Sequence, residues 1–214
     1  MDKPASEKAR AQSSAILPFS TWIRQGNQGA VDSRKRPARH HLGGAKIIRD
    51  GCELFAGRKI CGIVKVCQMA GDKGLSIALE PLNRFESDLI NTAEDVMRLI
   101  DDINHPAAKV LLDGFHMAIE EPDLEKAITS VGDRLIHVQV SENYRGTPGT
   151  GQTPWFALKS GLEKINYSGV VSIESFTPEI KELAGAVCIW KNLAKSQDGF
   201  ASEGFTFLKK LLTD

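Results

Sequence analysis

The sequence predicts an α/β fold with a parallel β-sheet, and two observations carry that prediction. Four short apolar runs alternate with segments of helical periodicity, which is the pattern of successive βαβ units. Three of the four runs are followed by or end in a carboxylate. In parallel sheets and in (β/α)8 barrels the chemistry gathers at the carboxyl ends of the strands, so the pattern indicates a site there.

The four apolar runs are predicted strands because each is short and bounded, as a strand buried in a parallel sheet is. They cover residues 75–79, 109–112, 135–140 and 170–173. Segments with helical spacing are predicted helices and cover residues 47–55, 60–70, 91–103, 123–131, 155–165, 180–194 and 203–212. The alternation predicts right-handed crossovers between neighbouring parallel strands.

Residues 1–44 are predicted to form an irregular segment outside this pattern. They carry eight basic and three acidic residues and show no sustained period. A basic arm for RNA is the alternative, but no aromatic residues interleave with its charges. The whole chain has 27 basic and 27 acidic residues, so it lacks the global positive field that holds a polyanion, and no nucleic-acid partner is expected.

The sequence also predicts a cytoplasmic protein without a membrane partner. Its apolar runs are far shorter than the roughly 18–20 residues of a membrane span, and its N-terminus lacks the apolar core of a secretory signal. The cysteines form no CxxC pair, which favours four reduced thiols. They are Cys52, Cys61, Cys67 and Cys188.

Three acids, Glu80, Asp113 and Glu174, stand at equivalent strand ends and are expected to converge. Converging carboxylates repel one another, so they need a cation or a shared proton. Each acid alone could instead cap the helix that follows, but the equivalence of the three favours a divalent metal. Oxygen ligands suit Mg or Mn, and an added imidazole would extend the choice to Co or Zn.

The third predicted strand and the loop after it add further polar groups. His137 and Gln139 alternate with apolar residues and therefore share one face of the strand. The following loop contains Arg145 among several glycines but lacks the spacing of a phosphate-binding loop. We expect these glycines to let the loop turn tightly and to place Arg145 over the mouth of the site.

Four motifs, in their order and spacing, resemble the ketose 3-epimerase family of the xylose-isomerase-like TIM barrels. They are EPLNRFE at 80–86, LDGFHM at 112–117, SENYRGTPGTG at 141–151 and IESF at 173–176. The resemblance covers residues 75–176 strongly and 45–214 loosely. DNA-repair endonucleases of the same barrel superfamily are an alternative, but their three-zinc cluster needs more histidines than the five present here.

The resemblance implies roles for individual residues. Glu80 and Glu174 would bind the metal and act as acid and base on opposite faces of a sugar. Asp113 would be a third metal ligand. The substrate-binding residues would be Glu86, His116 and Arg145.

Gln139 occupies the position of the family's fourth metal ligand, a histidine. A neutral amide oxygen is a weaker ligand than imidazole, so the expected metal is Mn or Mg, with Co as a further candidate. The neighbouring His137 is expected to lie outside the ligand set.

The family's barrel has eight βα units, whereas four strands are apparent here. The resemblance therefore implies an incomplete (β/α)8 barrel over residues 45–214, about its C-terminal half and truncated at the N-terminus. Open sheet edges favour association, so a homo-oligomer is expected. The expected function is metal-dependent 3-epimerisation of a small-molecule ketose through an enediolate. The alternative is a truncated, inactive relative that retains metal or sugar binding.

Overall fold

The computed structural model describes residues 54–55 and 58–213. The predicted irregular segment 1–44 and most of the helix predicted over 47–55 lie outside the described residues. The chain divides into two compact units. Among the described residues, the first consists of 54–55, 58–77 and 99–108, and the second of 78–98 and 109–213.

Six strands and seven α-helices are described. The strands are β1 (Leu54–Phe55), β2 (Arg58–Lys59), β3 (Ile77–Leu79), β4 (Ala108–Asp113), β5 (Leu135–Val140) and β6 (Val170–Ile173). The helices are α1 (Cys61–Gly71), α2 (Ala93–Ile103), α3 (Gly114–Glu120), α4 (Leu124–Val131), α5 (Trp155–Lys164), α6 (Lys181–Ala186) and α7 (Gln197–Thr213).

The predicted parallel sheet is confirmed. Strands β3, β4, β5 and β6 form one sheet in sequence order, and both β4–β5 and β5–β6 pair in parallel. Asp113 lies opposite Gln139, which lies opposite Ser172 on the next strand. This register brings the carboxyl ends of the strands to one edge of the sheet.

The central strand β4 is the most deeply buried part of the sheet. Val110, Leu111 and Leu112 of β4 are all buried, as expected of a strand inside a parallel sheet. Helices α4 and α5 pack closely at Gly161, where an added Cβ would lie 2.9 Å from the Cβ of Ile128. A larger side chain at position 161 would therefore separate the two helices.

Helix α2 begins where its sequence predicts. The Asp95 carboxylate accepts hydrogen bonds from the backbone N–H groups of Asn91 and Thr92, and the Thr92 hydroxyl accepts one from the Asp95 N–H. This reciprocal arrangement satisfies donors that the first turn of a helix leaves without partners.

Three helix predictions were wrong at their ends. Leu54–Phe55 pairs antiparallel with Arg58–Lys59 in a hairpin, so the helical spacing over 47–55 does not produce a helix there. The helix predicted over 180–194 ends at Ala186, because Cys188 adopts a left-handed φ of 58°. Helix α7 begins six residues earlier than predicted, since the Ser196 hydroxyl accepts the Gly199 N–H and caps it.

The expectation of four reduced thiols was wrong at Cys61, which is disulfide-bonded, whereas Cys67 and Cys188 are free. A cysteine outside a CxxC pair gives no local signal of a disulfide, which is why the sequence pattern missed it. Within 54–55 and 58–213, no helix combines the length and apolarity needed to cross a bilayer.

Candidate active site

Three strand ends bring Glu80, Asp113 and Glu174 to one edge of the sheet. Glu80 follows β3, Asp113 is the last residue of β4, and Glu174 follows β6. Glu80 and Asp113 are buried, while the Glu174 side chain is 27% exposed. Potential ligand atoms of Glu80, Asp113 and His116 all lie within 4.8 Å of one another. The acids therefore converge as the sequence predicts.

The two oxygens of Asp113 have different partners. Oδ1 accepts the Phe115 N–H at 2.9 Å and so caps helix α3. Oδ2 accepts a hydrogen bond from Arg145 Nη1 at 2.5 Å. The cap and the acidic cluster, considered as alternatives from the sequence, therefore both apply to this residue.

Arg145 is the buried cation of the cluster. Its Nη1 also lies 3.0 Å from Glu174 Oε2, so one guanidinium bridges two acids. Its central carbon lies 4.1 Å from the ring centroid of Phe115 and 5.4 Å from that of Phe176. Stacking of this kind holds the planar group in one orientation.

The backbone of Arg145 is strained, with φ at 63°. A left-handed conformation costs a residue with a side chain roughly 1–2 kcal/mol. The turn compensates, because the Arg145 N–H donates to Glu142 O at 2.8 Å and the Ser175 hydroxyl donates to Arg145 O at 2.6 Å. Strain held in this way is common where a side chain must point into a functional site.

Glu80 and Glu174 have raised pKa values. Burial raises the pKa of Glu80 well above its usual range, and the nearby Asp113 and Glu174 carboxylates raise it further. Burial also raises the pKa of Glu174 to about 7, with Arg145 opposing the shift and Asp113 adding to it. The cluster therefore favours either retained protons or a bound cation.

The donor set fits a divalent cation. With all three carboxylates ionised, the cluster and the Arg145 guanidinium would carry a net charge of two negative units in a largely buried space, which a divalent ion would neutralise. The carboxylates of Glu80 and Asp113 offer the oxygen atoms that hard cations prefer, and His116 adds a ring nitrogen within 4.8 Å of them. Gln139 lies beside them, with its Nε2 donating to Glu174 Oε1 at 3.1 Å.

The sequence profile of the xylose isomerase-like TIM barrel family matches residues 55–210. The chain belongs to this family. It is 35% identical over 153 residues to the L-ribulose 3-epimerase of Methylomonas sp. (strain DH-1), covering 71% of this chain and 54% of that protein. It is also 35% identical over 141 residues to the D-psicose 3-epimerase of Agrobacterium fabrum, covering 66% and 49%.

Among solved structures, the family fold is matched with a TM-score of 0.68 by an L-ribulose 3-epimerase, at 35% identity, over 70% of this chain and 51% of that one. The D-allulose 3-epimerase from Methylomonas sp., in complex with D-allulose, matches with a TM-score of 0.66 at 35% identity, over 69% and 52%. The chain spans about half the length of the curated relatives it matches. Its four parallel strands are thus part of a TIM-barrel sheet.

The remaining residues singled out from the sequence occupy different positions in this TIM-barrel portion. His116 lies in the cluster, 3.7 Å from Glu80 and 3.9 Å from Asp113. Glu86 lies at the rim and accepts a hydrogen bond from Asn83 at 2.8 Å. His137 lies 2.8 Å from the Ser172 hydroxyl on β6, outside the acidic cluster.

Sequence reasoning missed Glu142, a fully buried acid two residues after β5. Its carboxylate accepts hydrogen bonds from the indole of Trp155 and the backbone N–H of Gly149, both at 2.8 Å, and from the Thr153 N–H at 3.1 Å. Burial alone would raise its pKa, but these hydrogen bonds lower it below the usual value. The signal available in the sequence was the position of Glu142 in the polar segment ENYRG, two residues after an apolar strand.

Sequence reasoning also missed Asn83, which is buried between Glu86 and His116. The loop around it is fixed to α3 by Arg84, whose backbone N–H and guanidinium both donate to the Glu120 carboxylate, at 2.6 to 3.0 Å. An asparagine inside a polar motif usually indicates a turn. The local sequence therefore gave no sign that Asn83 contacts a histidine 33 residues away.

Proposed function

We propose that this protein is a metal-dependent ketose 3-epimerase that moves a proton between the two faces of a sugar. The observation that carries the proposal is the pair Glu80 and Glu174. Both acids have raised pKa values, and they approach the cluster from different strands. A carboxyl group with a pKa near neutrality can both accept and donate a proton under physiological conditions.

The reaction balances with one acid ionised and the other protonated. The ionised carboxylate removes the proton from C3 of the ketose, and the C–H electron pair forms a C2–C3 double bond while the carbonyl oxygen becomes negative. The protonated acid then delivers its proton to C3 from the opposite face, and the carbonyl re-forms. Glu80 and Glu174 exchange these roles in the reverse direction.

The cluster offers the Arg145 cation and the His116 imidazole to the ketose oxygen on which negative charge would develop. Arg145 has its guanidinium in the cluster, stacked on Phe115, and its Nη2 lies 3.2 Å from His116 Nε2. Fixed donors aimed at an oxyanion stabilise it without reorganisation. We assign Arg145 and His116 to substrate binding on this basis, and we propose Glu86, whose carboxylate accepts a hydrogen bond from Asn83, as an acceptor for a sugar hydroxyl.

The proposed metal ligands are Glu80, Asp113, Gln139 and Glu174. The proposed ion is Mn or Mg, with Co as a further candidate, because the donors are oxygens. When bound, such an ion would act as a Lewis acid on the sugar oxygens and supply several kcal/mol of charge stabilisation. The chain's own contribution is to hold the carboxylates and to orient the sugar.

A second candidate is a relative that binds metal or sugar without turnover. The observation that favours it is the exposure of Glu174, which follows β6, an edge strand of the described sheet. An enediolate is protected by exclusion of water, and an exposed carboxylate leaves water access. In this second candidate the same residues would bind the metal or the sugar, but the sugar would not be epimerised.

Deuterium exchange separates the two candidates. Fructose, tagatose or psicose is incubated in D2O with the full chain and Mn, and incorporation at C3 is followed by NMR. The enzyme proposal expects incorporation that Glu174→Gln abolishes and that Glu163→Gln, on the exposed side of α5, leaves unchanged. A folded, metal-loaded sample without exchange would contradict catalysis and support the binding protein.

We further propose a cytoplasmic homo-oligomer with residues 1–44 forming a separate segment from the 45–214 domain. Strands β3 and β6 are the edges of the described four-stranded sheet, and strand edges present unpaired backbone groups that favour association. Light scattering coupled to gel filtration tests the oligomer, and a monomer at micromolar concentration would contradict it.

A further inference from the structure

The three residues that follow β6, at 174–176, contact Arg145 at both of its ends. At the main-chain end, the Ser175 hydroxyl donates to the Arg145 backbone oxygen at 2.6 Å. At the side-chain end, Glu174 Oε2 lies 3.0 Å from Arg145 Nη1, and the Phe176 ring centroid lies 5.4 Å from the guanidinium carbon. Consecutive residues of one short segment therefore contact the whole length of a single arginine.

The turn that carries Arg145 is closed by backbone hydrogen bonds of its own. The Arg145 N–H donates to Glu142 O at 2.8 Å, and the Glu142 N–H donates to Gly146 O at 3.0 Å. Both bonds join residues within the turn, so they fix its shape but not its place relative to β6. A contact from another element must supply that placement.

The remainder of the loop is anchored elsewhere, at the beginning of α5. There the Glu142 carboxylate accepts the backbone N–H of Thr153 and the indole N–H of Trp155. Among the hydrogen bonds of residues 58–213, the bond from the half-buried Ser175 is the one that joins the main chain of Arg145 to the segment after β6. Ser175 therefore sets the position of the turn beside Glu174.

The backbone conformation of Arg145 makes this bond important. Its φ of 63° lies in the left-handed region, which is unfavourable for a residue with a side chain. Such a conformation persists only where the surrounding structure holds it. Without the Ser175 hydroxyl, the turn would relax toward a more favourable conformation, and the guanidinium would move with it.

We propose that Ser175 is a positioning residue that holds the main chain of Arg145 and thereby aims its guanidinium into the acidic cluster. Because Ser175 directly follows Glu174, one segment supplies both a proposed acid–base group and the contact that places the proposed substrate-binding cation. This inference deepens the proposed function and rests on it for the substrate that Arg145 binds. The placement of Arg145 itself rests on the hydrogen bond from Ser175.

Amide hydrogen exchange of the full chain, free of metal and substrate and followed by NMR, tests this placement directly. In Ser175→Ala the exchange rates of the Arg145 and Glu142 N–H groups should rise by about three- to tenfold, as expected for the loss of one hydrogen bond, while the amides of β4 keep their rates. Unchanged rates in the turn, or an equal rise throughout β4, would overturn the positioning role.

Two further variants separate the hydroxyl from general effects of substitution. Ser175→Thr keeps the hydroxyl and should keep the slow exchange of the Arg145 N–H. Ser130→Ala is the matched control, because the Ser130 hydroxyl also donates to a backbone oxygen, that of Ala127 at 2.7 Å, but within helix α4. Faster exchange of the Arg145 N–H in either variant would overturn the role of the Ser175 hydroxyl.

A milder substitution keeps the test decisive if Ser175→Ala does not fold. Ser175→Cys replaces the hydroxyl by a thiol of similar shape, which is a weaker hydrogen-bond donor. The exchange rate of the Arg145 N–H should then rise by a smaller factor than a complete loss of the bond would give. An unchanged rate in this variant would overturn the positioning role.

The deuterium-incorporation assay tests whether the placement of Arg145 serves the reaction. Ser175→Ala should lower kcat by about tenfold with a smaller change in KM, because a displaced guanidinium stabilises the developing charge less well. In an Arg145→Lys background the same substitution should lower kcat by less than about twofold, since the guanidinium through which Ser175 acts is gone. Equal losses in the two backgrounds would overturn the positioning role.

The two measurements distinguish a failure of this inference from a failure of the proposed function. Faster amide exchange in Ser175→Ala, together with no deuterium incorporation by the unsubstituted chain, would reject the proposed function and support the placement of Arg145 by Ser175. Deuterium incorporation by the unsubstituted chain, together with unchanged amide exchange in Ser175→Ala, would reject the inference and support the function.

Discussion

Glu142 and Glu174 follow two neighbouring parallel strands, yet the protein treats them in opposite ways. Glu142 is fully buried and its pKa is lowered, whereas the Glu174 side chain is 27% exposed and its pKa is raised to about 7. Burial raises the pKa of both carboxyls, so burial cannot account for the opposite directions. The difference lies in their partners.

Glu142 accepts hydrogen bonds from Trp155, Gly149 and Thr153, and these donors stabilise its ionised form. Glu174 has donors in Arg145 and Gln139, but it also faces the Asp113 carboxylate. A carboxylate whose oxygens accept hydrogen bonds from several fixed donors has a structural role. A carboxylate that shares its donors with a second acid remains available for a proton or a cation.

The largest expected effect on stability is at Glu142. Glu142→Gln places an amide N–H₂ against donors and should lower the free energy of unfolding by about 2–4 kcal/mol, since buried charge-assisted hydrogen bonds are lost. Urea unfolding followed by Trp fluorescence measures it. Glu163→Gln, with a 65% exposed side chain, should change stability by less than about 0.5 kcal/mol. Equal effects would contradict the structural role.

For metal binding we expect the larger effect at Glu174 and the smaller one at Glu142. Glu174→Gln should weaken Mn binding by more than about a hundredfold, because a charged ligand is lost, while folded Glu142→Gln should weaken it by less than the ten- to hundredfold typical of residues that support a ligand. Titration calorimetry on the metal-free protein measures both. A Glu174→Gln protein that binds Mn as tightly as the unsubstituted chain would remove Glu174 from the ligand set.

The two acids should also respond oppositely to pH in the metal-free protein. A raised pKa means that Glu174 adds stability at low pH, and this is lost as the pH rises through about 7. A lowered pKa means that the stability from Glu142 is present above its unfolded pKa and lost as the pH falls through the folded value.

Urea unfolding measured at several pH values distinguishes the contributions of Glu174 and Glu142 to stability. The loss of stability between about pH 5 and pH 8 should be smaller by about 1–3 kcal/mol in Glu174→Gln than in the unsubstituted chain. Glu142→Gln should retain that slope and instead lose part of the destabilisation that the unsubstituted chain shows as the pH falls below the unfolded pKa of a glutamate, about 4.3. Identical profiles for both variants would show that the partners of the two acids are equivalent.

The smallest expected effect is at Gly149, whose N–H donates to Glu142. Its φ is 87°, and an added Cβ would overlap the Phe207 ring, so Gly149→Ala should cost about 1–2 kcal/mol. Gly185→Ala is the matched control, since its Cβ meets nothing within 4 Å in helix α6 and should add up to about 1 kcal/mol. A stabilising Gly149→Ala would contradict the strained turn.

The sequence by itself determined the α/β class, the four parallel strands and their order, and the strand-end placement of the acids. These features are local, because a buried parallel strand must be apolar and the residue after it must lie at the edge of the sheet. Helix ends were predicted less well. The beginning of α7 depends on the Ser196 cap and the end of α6 on the left-handed Cys188, and neither alters the apolar period.

Tertiary structure alone decided the chemistry of the site. The bridge from Arg145 to Asp113 and Glu174, the hold of Asn83 on His116, and the donors around Glu142 join residues whose separations follow no period. Whether a carboxylate binds a proton, a cation or an N–H depends on atoms within about 4 Å, and crossover lengths and loop turns set which atoms those are. The sequence names the acids, but only the packing of these loops assigns their protonation.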